Sequence, residues 1–510
     1  MPVREAPRNR THDAYVLLAS FVVGAAVLVI EITGTRVIAP YYGASVYVWS
    51  SLIGVTLAAL TAGYFAGGWA ADRWPELRAF ALETTAGAAA LVLAVWLRKA
   101  VLVATTPLGV KAGSLVSATI LFAPALVLLA MTGPLAIRLV TGSFTVLGRG
   151  VGKVYGVSTL GSMLGALFTG FVLIPNLAVP SVMLGTAAVV AACGATGLAL
   201  ARRVGGAAAV LGAGVLAALV LDRPVPRATN VVYLGRSFHG EIKVVDARDV
   251  RALFIDGVDN GLVDRTTMES RAPYIAFFEY LPAARPAAKR ALSIGLGAGS
   301  VPRSLHLRHA IATDVVEIDP EIVRVARRYF GFPADIPVAV EDGRTFVEHA
   351  SGRYDLVVLD AFHAEAHALH LMTREFFAGV DRILAPGGVL AINMVGSARG
   401  PLAAGWQAVV RTLHEPFPHV RVFTGPQREG FTNVFVVASR EALPAPATLG
   451  GDAVFATLAA SELAPEPGDA TWVLTDDYNP LDDLQRSLLV AWREDMIRKE
   501  QSVLLYDGTP

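Results

Sequence analysis

The feature that most constrains this chain is a series of long apolar runs crowded into its first 221 residues. A helix needs about 20 mostly apolar residues to cross the hydrocarbon core of a bilayer. Runs of that kind occur at about 14–33, 46–70, 79–97, 114–140, 154–174, 180–201 and 204–221, which predicts seven spans. The stretch "AVLVATTPLGVKAG" (100–113) is too short to span and reads as an interfacial or re-entrant piece. No small-residue cleavage site follows the first run, so it reads as a retained span rather than a signal peptide. The 510 residues are 54% hydrophobic and 17% charged, well below the ~25% charge usual for soluble domains. Mean hydropathy is +0.51. The excess sits almost wholly in residues 1–221, a linker at 222–230 is rich in proline and arginine, and the remainder has an ordinary globular composition.

Formal net charge is zero, which gives no bulk electrostatic attraction to nucleic acid. The single Cys193 excludes an internal disulfide framework and any thiolate metal site. Basic residues between the runs favour a cytoplasmic N-terminus by the positive-inside rule. Seven spans would then carry the soluble half outside, whereas the cofactor argued below is made in the cytosol. Either 100–113 contributes to a further crossing or the charge rule fails, and the chemistry outweighs the count. The expected location is a multi-pass cell-membrane protein with a cytoplasmic soluble domain. Within the runs, Gly156, Gly161 and Gly165 recur at close spacing with Ser158 and Ser162 between them. Small residues so placed let helix backbones approach closely. Packing inside one bundle is expected ahead of dimerisation.

In the soluble half, "GEIKVVDARDVRALFIDG" alternates apolar and polar residues around a polar turn and predicts a β-hairpin within a small β-rich domain, 231–285. From 286 the pattern becomes strand, glycine turn, helix: "RALSIGLGAGSVPRSLHLR", then "ATDVVEID" and "PEIVRVARRYFG", "IPVAVED" and "GRTFVEHA", "YDLVVLD" and "TREFFAGVDRIL", and finally "GGVLAINMV". Strands alternating with helices imply a parallel sheet covered on both faces, a Rossmann-type α/β domain over 286–510. Gly295, Gly297 and Gly299 follow the first strand, where a chain without side chains can turn tightly against a ligand. Glu317 and Asp319 end the next strand about twenty residues on, where an acid can bind a ribose diol. Asp342, followed by Gly343, ends the third and can accept from an adenine amino group. Ser300 and Pro302 break the full dinucleotide spacing, so a nucleoside sulfonium fits better than a dinucleotide.

Taken in order, "ALFIDG", "APYIAFFEYLP", "LSIGLGAGSVPR", "VVEIDPEIV", "EDGRTF" and "YDLVVLDAF" make residues 231–440 resemble the spermidine synthase family of aminopropyltransferases. That family has a methyltransferase-like fold behind a small N-terminal β-domain. With the apolar half, "HLMTREF" and "LTDDYNPLD" (474–482), the whole chain is similar to the family's multi-pass membrane branch. The resemblance implies decarboxylated S-adenosylmethionine or S-adenosylmethionine as co-substrate and a putrescine-like amine as acceptor. It implies Asp360 as catalytic base, the three glycines, Glu317, Asp319, Asp342 and Gly343 at the nucleoside, and Tyr274, Asn260, His363 and Tyr478 at the acceptor. His370 belongs to the part matching the membrane branch and is an acid/base or gating candidate. The lipid bilayer is the expected surroundings, and a homodimer is among the assemblies open to such a chain.

Departures from the family pattern fall at the amine end. Ala298 replaces an aspartate that holds the donor's free amine, Asn260 replaces a glutamine, Ile275 stands where glutamine or histidine is usual, and His363 replaces a second acid. A small Ala298 would also admit intact S-adenosylmethionine. If helical, the segment carrying His363, His367 and His370 could grip a metal at one-turn spacing. No cysteine or clustered acid completes such a set, and no metal is expected. Two rivals to aminopropyl transfer stay open: a polyamine or related solute transporter or sensor with a degenerate nucleoside domain, and an S-adenosylmethionine-dependent methyltransferase.

Overall fold

A computed structural model describes residues 10–42, 46–141, 147–202, 230–237, 239–363, 366–425, 432–450, 453–463 and 472–504. The chain divides into two compact units, the first made of Met1–Pro226 with Ser502–Thr509 and the second chiefly of Arg227–Gln501. The predicted seventh run, 204–221, lies outside the described residues.

The first unit is all helical: α1 (Arg10–Tyr42), α2 (Val46–Arg73), α3 (Leu77–Thr105), α4 (Gly109–Val140), α5 (Leu147–Phe168) and α6 (Val179–Leu200). Five helical stretches are long and apolar enough to cross a membrane: 11–42, 47–73, 77–140, 147–173 and 179–200. The third of these contains both α3 and α4. Residues 100–113 are therefore not a separate re-entrant piece: they are the end of α3, a tight turn at Thr106–Leu108, and the start of α4 at Gly109, whose φ is +74°. Thr105 Oγ1 lies 2.6 Å from Ser117 Oγ, and Gly87 packs on Leu129, so α3 and α4 run antiparallel. Gly161 and Gly165 let α5 lie directly on α1, where an added Cβ would meet the Phe21 carbonyl at 2.1 Å and the Ala25 Cα at 2.8 Å. Ser162 Oγ donates to the Gly24 carbonyl at 2.9 Å across the same contact. Gly156 faces open space.

The second unit opens with a four-stranded antiparallel sheet, β1 (Val231–Ser237), β2 (Gly240–Ala247), β3 (Val250–Ile255) and β4 (Val258–Asp264), in that order. The predicted hairpin is β2 and β3, turning at Arg248 and Asp249. The main domain follows as β5 (Arg290–Ile294), α7 (Ser300–Leu307), β6 (Ala312–Glu317), α8 (Pro320–Tyr329), β7 (Val338–Val340), α9 (Gly343–His349) and β8 (Tyr354–Leu359). A two-residue ribbon, β9 (Phe362–His363) and β10 (Ala366–His367), then leads to α10 (Arg374–Ile383) and β11 (Leu384–Gly396). After α11 (Ala404–Leu413) come β12 (His419–Thr424), β13 (Thr432–Ser439), α12 (Ala453–Ser461), β14 (Glu462–Leu463) and α13 (Leu481–Leu504).

The sheet order is β14-β12-β13-β11-β8-β5-β6-β7. The five strands from β11 to β7 are mutually parallel, as the alternating pattern predicts, but β13, β12 and β14 add antiparallel to the β11 edge. The sheet is thus mixed rather than purely parallel. Its parallel centre is buried on both faces, which is why "YDLVVL" and "RALSI" read as near-continuous apolar runs. One face packs against Val347, Phe376, Phe377, Val380, Trp406 and Leu413, and the other against Phe278, Tyr280, Leu281, Val301, Leu305 and Leu458. The small sheet rests Ile242, Val244 and Leu253 on Ile322, Val325 and Phe330 of α8 and the turn after it.

Candidate active site

The carboxyl ends of β5, β6, β7 and β8 open into one cavity of about 680 Å³. Ligands of open α/β sheets bind at such strand ends. The walls include Gly295, Gly297, Glu317, Asp319, Asp342, Gly343 and Asp360 from the main domain, and Asp259, Asn260 and Tyr274 from the small sheet and its following turn.

The glycine turn is required by what it touches. Gly295, Gly297 and Gly299 have φ values of +96°, +53° and +79°, a region that residues with a Cβ seldom occupy. A Cβ at Gly295 would stand 2.2 Å from the Asp360 carbonyl oxygen, so the end of β5 and the end of β8 are in direct backbone contact. Asp360 N–H donates to the Ile294 carbonyl at 2.9 Å, which fixes that contact.

Glu317 clamps the turn from β6. Its Oε2 accepts from Leu296 N–H at 3.0 Å and its Oε1 from Asp319 N–H at 2.9 Å. Burial pushes its carboxyl up to about 7 against the lowering effect of those donors. Asp319 is buried and caps α8, accepting from Glu321 N–H at 2.9 Å and from the Ser237 hydroxyl. Its oxygens are thus occupied in joining the small sheet to the main domain.

Asp342 caps α9, its Oδ1 accepting from Arg344 N–H at 2.9 Å and Thr345 N–H at 3.1 Å. Its Oδ2 is bonded to His370 Nε2 at 2.8 Å. Burial alone would raise this carboxyl, but the His370 bond and the backbone donors outweigh it and hold it below the usual aspartate value. Gly343 has no room for a side chain, because a Cβ would meet Ile294 Cγ2 at 2.5 Å.

Among the described residues Asp360 has one side-chain partner, Asn393 Nδ2 on β11 at 2.9 Å. Asn433 Nδ2 on β13 donates in turn to Asn393 Oδ1 at 3.1 Å, so three adjacent strands carry a polar line into an otherwise apolar sheet. Burial pushes the Asp360 carboxyl up to about 6, with Asn393 acting in the opposite direction. Tyr274 is nearby: its phenol is raised first by burial and then by the charges of Asp360 and Asp259.

Among the residues singled out from sequence, the cavity brings together Gly295, Gly297, Glu317, Asp319, Asp342, Gly343, Asp360, His370, Asn260 and Tyr274, whereas Gly299 packs against Phe332 and is not on the wall. His370 is joined to Asp342 and not to Asp360. The histidine segment is not helical. Phe362–His363 pairs with Ala366–His367 as an extended ribbon and His370 sits in a separate turn, so one-turn helical spacing does not apply. The side chains of His363 and His367 lie outside the described ones. Among the described residues no three metal-ligating side chains gather. Tyr478 is 52% exposed, stacks on Trp472 with centroids 5.3 Å apart and is not part of the cavity wall. Its neighbours instead strap the loop: Asp476 pairs with Arg344, and Asn479 Nδ2 donates to the Leu369 carbonyl at 2.9 Å. Sequence reasoning missed Asn393, Asn433 and Asp259. A lone asparagine inside "VLAINMV" and another inside "FTNVFVV" were the only signals for the first two.

Residues 280–398 match the family model described as the spermine/spermidine synthase domain. Over that stretch the chain is similar to the spermidine synthase family. It is 31% identical over 183 residues to a polyamine aminopropyltransferase of Vibrio vulnificus, covering 34% of this chain and 61% of that one. It is 34% identical over 166 residues to an N-terminal histidine N-methyltransferase of Emericella nidulans, covering 30% of this chain and 28% of that one. The chain thus spans less than two thirds of the length of either relative. A crystal structure of a probable spermidine synthase from Corynebacterium glutamicum superposes with a TM-score of 0.38 at 20% identity, covering 44% of this chain and 86% of that one. The matched region, 280–398, includes the glycine turn, Glu317, Asp342 and Asp360.

Proposed function

We propose that this spermidine synthase-family domain binds decarboxylated S-adenosylmethionine and transfers its aminopropyl group to a putrescine-like amine. The observation that carries the reading is Asp360: a carboxylate pushed up to about 6, held by Asn393, at the strand end that touches the glycine turn. Such a group is ionised at neutral pH and still a useful proton acceptor.

In the reaction the acceptor nitrogen attacks the methylene beside the sulfonium. A C–N bond forms and the C–S bond breaks. The C–S electron pair passes to sulfur, so methylthioadenosine leaves uncharged, and the proton lost from nitrogen goes to Asp360. The three glycines admit the nucleoside close to the backbone, Glu317 accepts from the ribose hydroxyls and Asp342, beside Gly343, accepts from the adenine amino group. Tyr274 and Asn260 line the acceptor's side. Asp360 next to a cation also lowers the cost of bringing two positively charged substrates together, and positioning adds to that.

Membrane anchoring is part of the same proposal. It is supported by the five apolar helical stretches and by side chains such as Phe65 and Phe171, 78% and 77% exposed, on helices of the first unit. A cytosolic donor favours a cytoplasmic catalytic domain.

Methyl transfer from intact S-adenosylmethionine is a second reading, favoured by the small Ala298 and by the kinship with the Emericella nidulans methyltransferase. Titration calorimetry of the purified full chain separates them. Aminopropyl transfer predicts tighter binding of decarboxylated S-adenosylmethionine than of S-adenosylmethionine. The reverse preference supports methyl transfer, and absence of binding by either, or by methylthioadenosine, at millimolar concentration overturns both.

A further inference from the structure

The family's donor-amine aspartate is replaced here by Ala298, yet the cavity is not short of acids at that end. The register of β4 against β3 slips between the pairs Leu253↔Gly261 and Phe254↔Asp259, leaving Asn260 as an extra residue on β4. In a regular strand, neighbours point to opposite faces. A bulge breaks that alternation and re-aims a side chain, and both Asp259 and Asn260 line the cavity.

The bulge lies on the glycine turn. A Cβ at Gly261 would stand 2.4 Å from Ala298 Cβ, and one at Gly297 would stand 2.9 Å from the Asn260 carbonyl oxygen. Ala298 is 5% exposed and packed by this contact. Asp259 Oδ1 accepts from Gly261 N–H at 2.9 Å, which fixes the carboxylate, and among the described residues Oδ2 takes no hydrogen bond. Partial loss of hydration at the cavity wall raises the Asp259 carboxyl, and its charge is felt by Tyr274 together with that of Asp360. Among the described residues no lysine or arginine lines the cavity, whereas Asp259, Glu317, Asp319, Glu341, Asp342 and Asp360 all do. Asp259 is itself exposed, so Oδ2 stands open to a cationic group that enters this acidic cavity.

We infer that Asp259, placed by the β4 bulge, pairs with the free ammonium of the donor's aminopropyl arm. The inference rests on the aminopropyl-transfer reading and assigns the donor's charged end to the small sheet instead of the glycine turn. It also supplies a selectivity device. The α-carboxylate of intact S-adenosylmethionine would be brought towards Asp259 and repelled by it.

Calorimetry on Asp259→Asn in the full chain tests this. Asparagine keeps an oxygen for Gly261 N–H and removes only the charge. Affinity for decarboxylated S-adenosylmethionine is expected to fall tenfold or more, while methylthioadenosine, which lacks the arm, binds within about twofold of wild type and so reports an intact fold. Discrimination against S-adenosylmethionine should shrink by a similar factor. Equal losses for both nucleosides, or no loss for either, overturn the role of Asp259 and leave the nucleoside reading standing. Failure of the wild-type chain to bind either ligand overturns the nucleoside reading itself and this inference with it.

Discussion

Asn393 Nδ2 donates to Asp360 Oδ1 over 2.9 Å from the neighbouring strand. This hydrogen bond works against the rise in the Asp360 carboxyl caused by burial. With the base ionised only above its own pKa, transfer should fall as pH drops through about 6. Asn393→Leu removes the donor at similar size, so the acid limb of kcat/KM should move to higher pH. An unmoved limb would detach the bond from the chemistry.

Asp360→Asn should slow transfer by about 10²–10⁴-fold, the usual worth of a placed general base. It should also change stability in a pH-dependent way. The folded carboxyl titrates near 6, above its ordinary value, so its favourable contribution is complete at low pH and lost as pH rises through the folded value. Above that, the buried charge costs about 1–3 kcal/mol. Thermal unfolding in detergent should show the asparagine variant gaining more over wild type at pH 8 than at pH 5.

Glu317 makes a similar point at the nucleoside end. Its carboxyl titrates near 7 and can accept from both ribose hydroxyls only when ionised. Methylthioadenosine affinity should therefore weaken as pH falls from 8 to 6. Glu317→Gln should bind at least tenfold more weakly and lose most of that pH dependence, measured by calorimetry across the range.

His370 bonds to Asp342 at 2.8 Å, which makes it a positioning residue for the adenine-side acid in this account. His370→Ala should weaken methylthioadenosine binding severalfold and leave the acid limb assigned to Asp360 where it was. The opposite pattern, unchanged nucleoside affinity with a lowered kcat and an altered pH profile, would return His370 to an acid/base role.

The parts of the fold that were legible from sequence are those whose signal is local. β5, β6, β7 and β8 are apolar runs ended by glycine or an acid, and in the central strands β5 and β8 burial on both faces keeps that pattern continuous. The β2–β3 hairpin showed because apolar and polar residues alternate in sequence on either side of the polar turn at Arg248 and Asp249. The antiparallel strands β12 and β13 were not recognised, since nothing in "HVRVFT" or "TNVFVVAS" says on which edge of the sheet they add. Contacts made across the fold were also silent. His370 meets Asp342 across 28 residues, Asn393 meets Asn433 across 40, and neither pair has a spacing that a motif could reveal. Asp259 depends on a one-residue slip in strand pairing, which only the pairing itself discloses. Tyr478 was placed at the acceptor by resemblance, but its chain segment turns outward to Trp472 after Asp476 has met Arg344.

The central claim is the transfer itself. Purified full-length protein in detergent or nanodiscs, incubated with decarboxylated S-adenosylmethionine and putrescine at pH 8, should yield methylthioadenosine and an aminopropylated diamine in equal amounts by mass spectrometry, and Asp360→Asn should yield neither above background. A donor that binds but is not consumed with any of a panel of diamines, or a methylated product formed with S-adenosylmethionine instead, would contradict the account.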